Sequence, residues 1–295
     1  MSAVGESVGR RMTLGYLVSH YGYDLQPAFA SNVTITAVVD DMASVRPGCL
    51  YAPADSVDVR RLEEARSRGA YAALIPHAMR AVVKDVEFPL VFAEPTPSQL
   101  GALAGDIAGH PSTSLAVFAV CGADGDEVQA TVVRLADFLH MLGNPVGVVS
   151  AAGSTSLERA LDVRHPLGIL DVQHILSVCA EDGAAAIVLA VDDQTLRPNA
   201  LQGVGIDVLG VSDTGDDATI ASRVESYTRR YGFTMDKQAT PVTRNEESDV
   251  FAQQSQIVNG EDGVRRLSLS VAMVLAAGVR RNTIKSALRV SRELD

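Results

Sequence analysis

Tryptophan is absent from this chain, and aromatic residues make up only 5% of its 295 positions. Its cores must therefore be aliphatic, built from Val, Leu, Ile and Ala, and a hydrophobic content of 47% supplies enough of them. That usage suits parallel sheets covered by helices. Cysteine is scarce: Cys49, Cys121 and Cys179 are odd in number, far apart and without metal-ligand spacing. A disulfide framework is not expected, and buried free thiols are. Positive charge is also in deficit, with 25 Lys and Arg against 36 Asp and Glu and a formal net charge of -11. This argues against nucleic acid as the main partner, because phosphate binding needs local Lys and Arg. No apolar run approaches ~18 residues, so no membrane span is expected. Arg10-Arg11 is followed by Thr13, Gly15, Tyr16, Ser19 and His20, which interrupt any apolar stretch, so it does not read as a signal peptide. The expectation is a soluble, acidic, cytoplasmic protein.

What is present is a repeated alternation of strands and helices, over a length that favours two domains. The spacing predicts a short helix over 12–21, strands over 33–39 and 49–52, a charged helix over 60–67 ending at Gly69, strands over 71–75 and 90–93, and a helix over 97–108 closing at Gly109. This is a small α/β domain, 1–110. Gly109-His110-Pro111-Ser112 reads as a hinge. The pattern restarts in 111–295 with a strand over 115–120, a Gly-containing loop, and a helix from about Glu127 to Leu142 carrying Val128, Val132, Leu135 and Leu139 at helical spacing. Strands over 146–149, 186–191 and 206–211 and a helix over 172–180 follow, which implies a doubly wound, mostly parallel sheet of P-loop type. Residues 235–262 are polar and read as solvated loops or short edge strands. A closing pair of helices, 267–275 and 282–290, flanks Gly278.

Strand, Gly-rich loop and helix is the arrangement that cradles phosphate: backbone N–H groups and the helix N-terminus supply positive potential, a Lys reaches the phosphates and a Ser or Thr hydroxyl ligates Mg²⁺. Here the loop is Cys121-Gly122-Ala123-Asp124-Gly125-Asp126-Glu127. The glycines remain, but Asp126 stands at the lysine position and Glu127 at the hydroxyl position. A carboxylate ~5 Å from a phosphate charge repels it by ~3 kcal/mol at an effective dielectric of ~20, and the lost lysine removes attraction of similar size. Ordinary ATP chemistry is not expected. The same carboxylates at a helix start can instead cap their own helix and complement its dipole.

At this point the chain resembles the Mur ligases, most of all the branch that adds the third residue to UDP-N-acetylmuramoyl-dipeptide. The resemblance runs from about Thr13 to Val290. It rests on Val45-Arg46-Pro47-Gly48-Cys49-Leu50-Tyr51-Ala52, Arg68-Gly69-Ala70, Gly109-His110-Pro111-Ser112, Asp182-Gly183-Ala184-Ala185-Ala186-Ile187-Val188-Leu189 and Leu201-Gln202-Gly203-Val204-Gly205-Ile206-Asp207-Val208, in that order and spacing. It implies a uridine-nucleotide-binding-like domain over 1–110 and an ATPase-like central domain over 111–295. The third, amino-acid-positioning domain of the family is expected to be absent, since the chain ends at Asp295.

Carried across by position, the family's functional residues are mostly replaced. Its Gly-Thr-Asn-Gly-Lys-Thr falls on Gly122-Ala123-Asp124-Gly125-Asp126-Glu127. Its Asp-Ser-Arg falls on Asp41-Met42-Ala43, and its Thr-Thr-Pro on Arg164-His165-Pro166. Its metal-binding Glu falls on Ala190, with Asp192-Asp193-Gln194 after it. Its Asn-Leu-Ser-Arg-Asp-His falls near Ser212-Asp213-Thr214-Gly215-Asp216-Asp217, and its modified lysine near Arg230-Tyr231.

Asp41, Arg164 and His165 stay as candidate substrate-binding residues, because Arg favours phosphate and carboxylate groups. Asp192-Asp193 reads either as a turn or as a divalent-ion site, the former being the commoner use of such a pair. No catalytic residue, metal site or cofactor is assigned. The leading expectation is a catalytically inactive Mur-ligase-like protein that binds, scaffolds or regulates in peptidoglycan precursor synthesis, its partner a cell-wall biosynthesis protein or a UDP-N-acetylmuramoyl precursor. The alternatives are a divergent or split ligase and a purely structural homo-oligomer.

Overall fold

A computed structural model describes residues 12–54, 58–84, 86–213, 215–235, 240–255 and 260–294, with side chains described up to 289. Arg10-Arg11 and Thr214, and the parts of 235–262 at 236–239 and 256–259, lie outside the described residues. The architecture is mixed α/β with mostly parallel sheets. The chain divides into two compact units, Met1–His110 and Pro111–Asp295.

The first unit contains β1 (Met12–Thr13), α1 (Leu14–Tyr21), β2 (Asp24–Gln26), β3 (Thr34–Ile35), β4 (Ala37–Val39), β5 (Cys49–Tyr51), α2 (Val59–Ser67), β6 (Ala72–Ile75), β7 (Leu90–Phe92) and α3 (Pro97–Ala108). Its sheet runs β2-β7-β6-β5-β4, parallel except for the β2 edge. The helix ends follow local chemistry. Asp58 accepts from the Arg61 N–H at 2.8 Å to start α2. Thr96 and Gln99 form a reciprocal capping box at α3, with Pro97 at its first position and Gly109 at φ 75° closing it. The strand expected over 33–39 is broken at Thr36. Thr34–Ile35 pairs with β1, whereas Ala37–Val39 joins β5 in a different sheet, and the Thr36 N–H turns to Gly48 O at 2.9 Å between them.

The second unit contains β8 (Ala116–Cys121), α4 (Gly125–Met141), β9 (Val146–Val149), β10 (Thr155–Ser156), β11 (Arg159–Ala160), α5 (Ile169–Glu181), β12 (Ala186–Val191), β13 (Gly205–Ile206), β14 (Val208–Val211), α6 (Asp217–Tyr231), β15 (Thr234–Met235), α7 (Glu246–Gln254), α8 (Gly260–Ala276) and α9 (Arg281–Leu294). Its six-stranded sheet runs β11-β10-β9-β12-β8-β14. β9, β12, β8 and β14 are parallel and the β10–β11 hairpin is antiparallel. Alternate residues of one strand feed two cores, as a pleated strand requires. Val117, Ala119 and Cys121 face a cluster with Ile175 and Leu176 of α5 and Tyr231 of α6. Phe118 and Val120 face Val132, Leu135 and Phe138 of α4 with Val271 and Met273 of α8. The sheet is thus covered on both faces, the arrangement that its uninterrupted apolar strands demand.

Two expectations are corrected here. Residues 235–262 are not all loop or edge strand: Glu246–Gln254 is helical, started by Asn245, which accepts from the Ser248 N–H at 2.9 Å, and it buries Phe251 and Ala252. Its acidic run occupies the first turn, where the helix dipole favours it. The strand expected over 206–211 splits at Asp207, whose carboxylate accepts from the Val117 N–H at 2.7 Å. The helix α6 has only a sparse apolar face, Ile220, Val224, Tyr227 and Tyr231, too weak a pattern to predict it from the sequence. All three cysteines are free and buried, and burial pushes the Cys121 thiol up to about 12. No helix among the described residues is long and apolar enough to cross a membrane.

Candidate functional site

The strand order β12-β8-β14 brings three carboxyl ends side by side: Cys121 with its loop, Val191 with Asp192-Asp193-Gln194, and Val211 with Ser212-Asp213. The crevice beyond the carboxyl ends of a parallel sheet is where open α/β folds receive ligands.

In the central loop, Gly122 is fixed by its neighbours. A Cβ there would lie 2.0 Å from Ser212 Oγ, so a side chain could enter only if Ser212 moved. Its carbonyl accepts from the Tyr227 hydroxyl at 2.7 Å. The Ala123 N–H points at the Asp213 carboxylate, 2.9 Å from Oδ1 and 3.1 Å from Oδ2. Asp213 in turn forms an ion pair with Arg223, whose guanidinium pKa this carboxylate raises. Asp124 caps α4, its Oδ1 accepting from the Asp126 N–H at 3.0 Å and the Glu127 N–H at 3.4 Å. Gly125 opens the helix against Gln194 and Asp192; a Cβ there would stand 3.3 Å from Gln194 Nε2. Asp126 is exposed. Glu127 turns back to α8, where Arg266 donates from Nε at 2.9 Å and Nη2 at 2.5 Å. The loop is thus surrounded by Asp124, Asp126, Glu127 and Asp213, against the guanidiniums of Arg223 and Arg266, and both of those already pair with carboxylates of the group.

Beside it, Asp192 is buried. Its Oδ1 accepts from the Gln194 N–H at 2.9 Å and the Thr195 N–H at 2.7 Å, while Oδ2 has no partner among the described residues. Asp193 receives Arg230 through Nε and Nη2, each at 2.8 Å, and the Tyr231 hydroxyl at 2.6 Å. The Tyr231 hydroxyl, then Arg230, holds the Asp193 carboxyl below the usual carboxylate range. The pair therefore makes a capped turn and an anchor for the end of α6. No group of three or more His, Cys, Asp or Glu able to hold a metal ion occurs among the described residues. Ala190, onto which the resemblance carries the family's metal-binding Glu, is fully buried in β12.

The remaining candidates are dispersed. His165 has both ring nitrogens engaged: Nε2 lies 3.2 Å from Ser154 Oγ and Nδ1 lies 3.1 Å from Thr195 O. Arg164 beside it is exposed. Asp41 belongs to the first unit, where its Oδ1 accepts from the Ala43 and Ser44 N–H groups at 2.8 and 3.1 Å and shapes a turn. The residues that complete the loop environment, Ser212, Asp213, Arg223, Tyr227 and Arg266, come from the segment just after β14, from α6 and from α8. In the sequence, only Ser212 and Asp213 stand out among them, through the resemblance of residues 212–217 to the family's Asn-Leu-Ser-Arg-Asp-His segment.

No protein-family model matches the chain. It is similar to the UDP-N-acetylmuramoyl-L-alanyl-D-glutamate--2,6-diaminopimelate ligase of Xylella fastidiosa, 28% identical over 253 residues that cover 82% of this chain and 49% of that protein. The ligase of the same description from Ectopseudomonas mendocina is 31% identical over 192 residues, 62% of this chain and 38% of its own length. The chain thus spans about half the length, or less, of these curated relatives. A solved structure of a UDP-N-acetylmuramoyl-L-alanyl-D-glutamate--2,6-diaminopimelate ligase shares the fold with a TM-score of 0.60 at 14% identity, over 94% of this chain and 66% of that one. The UDP-N-acetylmuramoylalanyl-D-glutamyl-2,6-diaminopimelate--D-alanyl-D-alanyl ligase from Acinetobacter baumannii does so with a TM-score of 0.56 at 14% identity, over 96% of this chain and 69% of that one.

Proposed function

We propose that this chain, which belongs to the Mur ligase family, acts in peptidoglycan precursor synthesis as a non-catalytic member that binds, scaffolds or regulates. The observation that carries this reading is the state of the loop after β8. Asp126 and Glu127 occupy the positions that would need a cation and a metal-binding hydroxyl, and the N–H groups of Ala123, Asp126 and Glu127 already donate to Asp213 and Asp124. Phosphate would bring charge of the wrong sign to donors already in use. A Mg²⁺ ion would find no hydroxyl at Glu127 and no carboxylate at Ala190. The residues present do not fit Mg-ATP, and no ligation step is derived through it.

A binding role needs only that the two α/β units persist as recognition surfaces. The substrate class that suits it is the UDP-N-acetylmuramoyl peptide on which the similar ligases, by their names, act. The test is phosphate release from ATP in the presence of UDP-N-acetylmuramoyl-dipeptide and diaminopimelate. The expected result is none above background, together with a thermal shift from the UDP-sugar peptide, which mass action makes visible even for modest affinity. ATP-dependent product formation by the chain alone would overturn the non-catalytic reading. Release that appears only with a second protein would favour a split ligase instead.

A further inference from the structure

We infer that Asp213 closes the loop after β8 to external oxyanions, its carboxylate standing where the oxygens of a bound phosphate would be received. The inference rests on the non-catalytic reading above and adds a specific residue to it. Capping of α4 does not require Asp213, because Asp124 already serves the Asp126 and Glu127 N–H groups from within the loop. Asp213 instead arrives from the end of β14, 90 residues away in sequence, and brings both carboxylate oxygens to the Ala123 N–H, at 2.9 and 3.1 Å. A carboxylate and a phosphate present the same acceptor chemistry to such a donor.

The grip is completed from α6. Arg223 pairs with Asp213, and Tyr227, one turn later on the same face, donates to the Gly122 carbonyl at 2.7 Å. Ser212 Oγ fills the space beside Gly122 that a Cβ would need, so the loop is lined there by Ser212. An external anion can therefore use the Ala123 N–H only by displacing Asp213, and would then have to approach a resident negative charge. Removing the carboxylate leaves a free N–H beside an unpaired guanidinium, which together form a receptor for a tetrahedral oxyanion.

The experiment titrates the 295-residue chain with inorganic phosphate and follows the backbone amide signal of Ala123, with circular dichroism melts as the folding control. Wild type is expected to show no saturable shift. Asp213→Ala is expected to bind phosphate at least about tenfold more tightly than wild type, with the shift centred on Ala123, and Arg223→Ala in that background is expected to abolish the gain. Asp213→Asn keeps the shape and removes the charge, so it carries the test if the alanine variant does not fold. A folded Asp213 variant with no gain in phosphate binding overturns the inference, as does a gain that survives loss of Arg223 or saturable phosphate binding at Ala123 in wild type. Turnover of Mg-ATP by wild type is a separate result that would remove the non-catalytic reading itself.

Discussion

Gly122 and Ser212 occupy one space, and only one of them can carry a side chain into it. A Cβ at Gly122 would meet Ser212 Oγ at 2.0 Å but Ser212 Cβ only at 3.3 Å. Gly122→Ala is therefore expected to destabilise the protein by about 1–3 kcal/mol through overpacking, and Ser212→Ala in the same chain to restore most of that loss. Denaturant melts of the two single variants and the double variant check it; strict additivity would show that the contact is not the cause. The Glu127–Arg266 pair is partly exposed, with side chains 24% and 29% accessible. Its Ala variants are expected to cost no more than about 1 kcal/mol each by the same melts, because a partly solvated pair recovers much of its energy from water. These residues shape the loop; they do not hold the domain together.

What holds the domain together lies in the elements. α4 places Val132, Leu135 and Phe138 against the sheet, all fully buried. Leu135→Ala is expected to cost about 2–5 kcal/mol, clearly more than loss of the Glu127–Arg266 pair, and a value under about 1 kcal/mol in a urea melt would contradict the packing described. α7 and α8 meet through a polar cluster. Asp249 Oδ1 accepts from Ser268 Oγ at 2.6 Å and from Arg244 at 2.9 and 3.1 Å. Burial alone pushes this carboxyl up, but the bonds from Ser268 and Arg244 outweigh it and hold it below the usual range. A depressed carboxylate stabilises the fold above its unfolded pKa, about 3.9, and loses that contribution as pH falls through the lower folded value. Wild type is expected to lose stability between about pH 5 and 3 more steeply than Asp249→Asn, as read by thermal melts across that range.

The same scale shows why some elements could be read from the sequence and others not. β9, β12 and α3 carry uninterrupted apolar runs or complete caps, and their residues alone define them. Val33–Val39 and Ile206–Val211 also look like single strands, but each is divided between two sheets by a bond to a distant residue, Gly48 for Thr36 and Val117 for Asp207. α6 and α7 are mostly polar, so their helical signal is weak until the sheet supplies something to pack against. In the site, the acidic loop was legible because its residues are contiguous. Asp213 is legible only through the resemblance of residues 212–217 to a family segment, and Arg223, Tyr227 and Arg266 are not legible at all, because only the parallel order β12-β8-β14 and the helices packed on it bring them to the loop.

At the scale of the whole chain, two α/β units follow one another, and the sequence spans about half the length of a curated relative such as the Xylella fastidiosa ligase. In the second unit, carboxylates rather than a lysine and a hydroxyl meet the head of α4. The most direct test of that claim is isothermal titration of the intact protein with Mg-ATP at low ionic strength, where any attraction to phosphate is least screened. No saturable heat up to about 1 mM nucleotide, corresponding to binding no stronger than about -4.1 kcal/mol, is the predicted result. Saturable binding in the micromolar range would contradict it, because the loop would then be receiving phosphate despite its own anions.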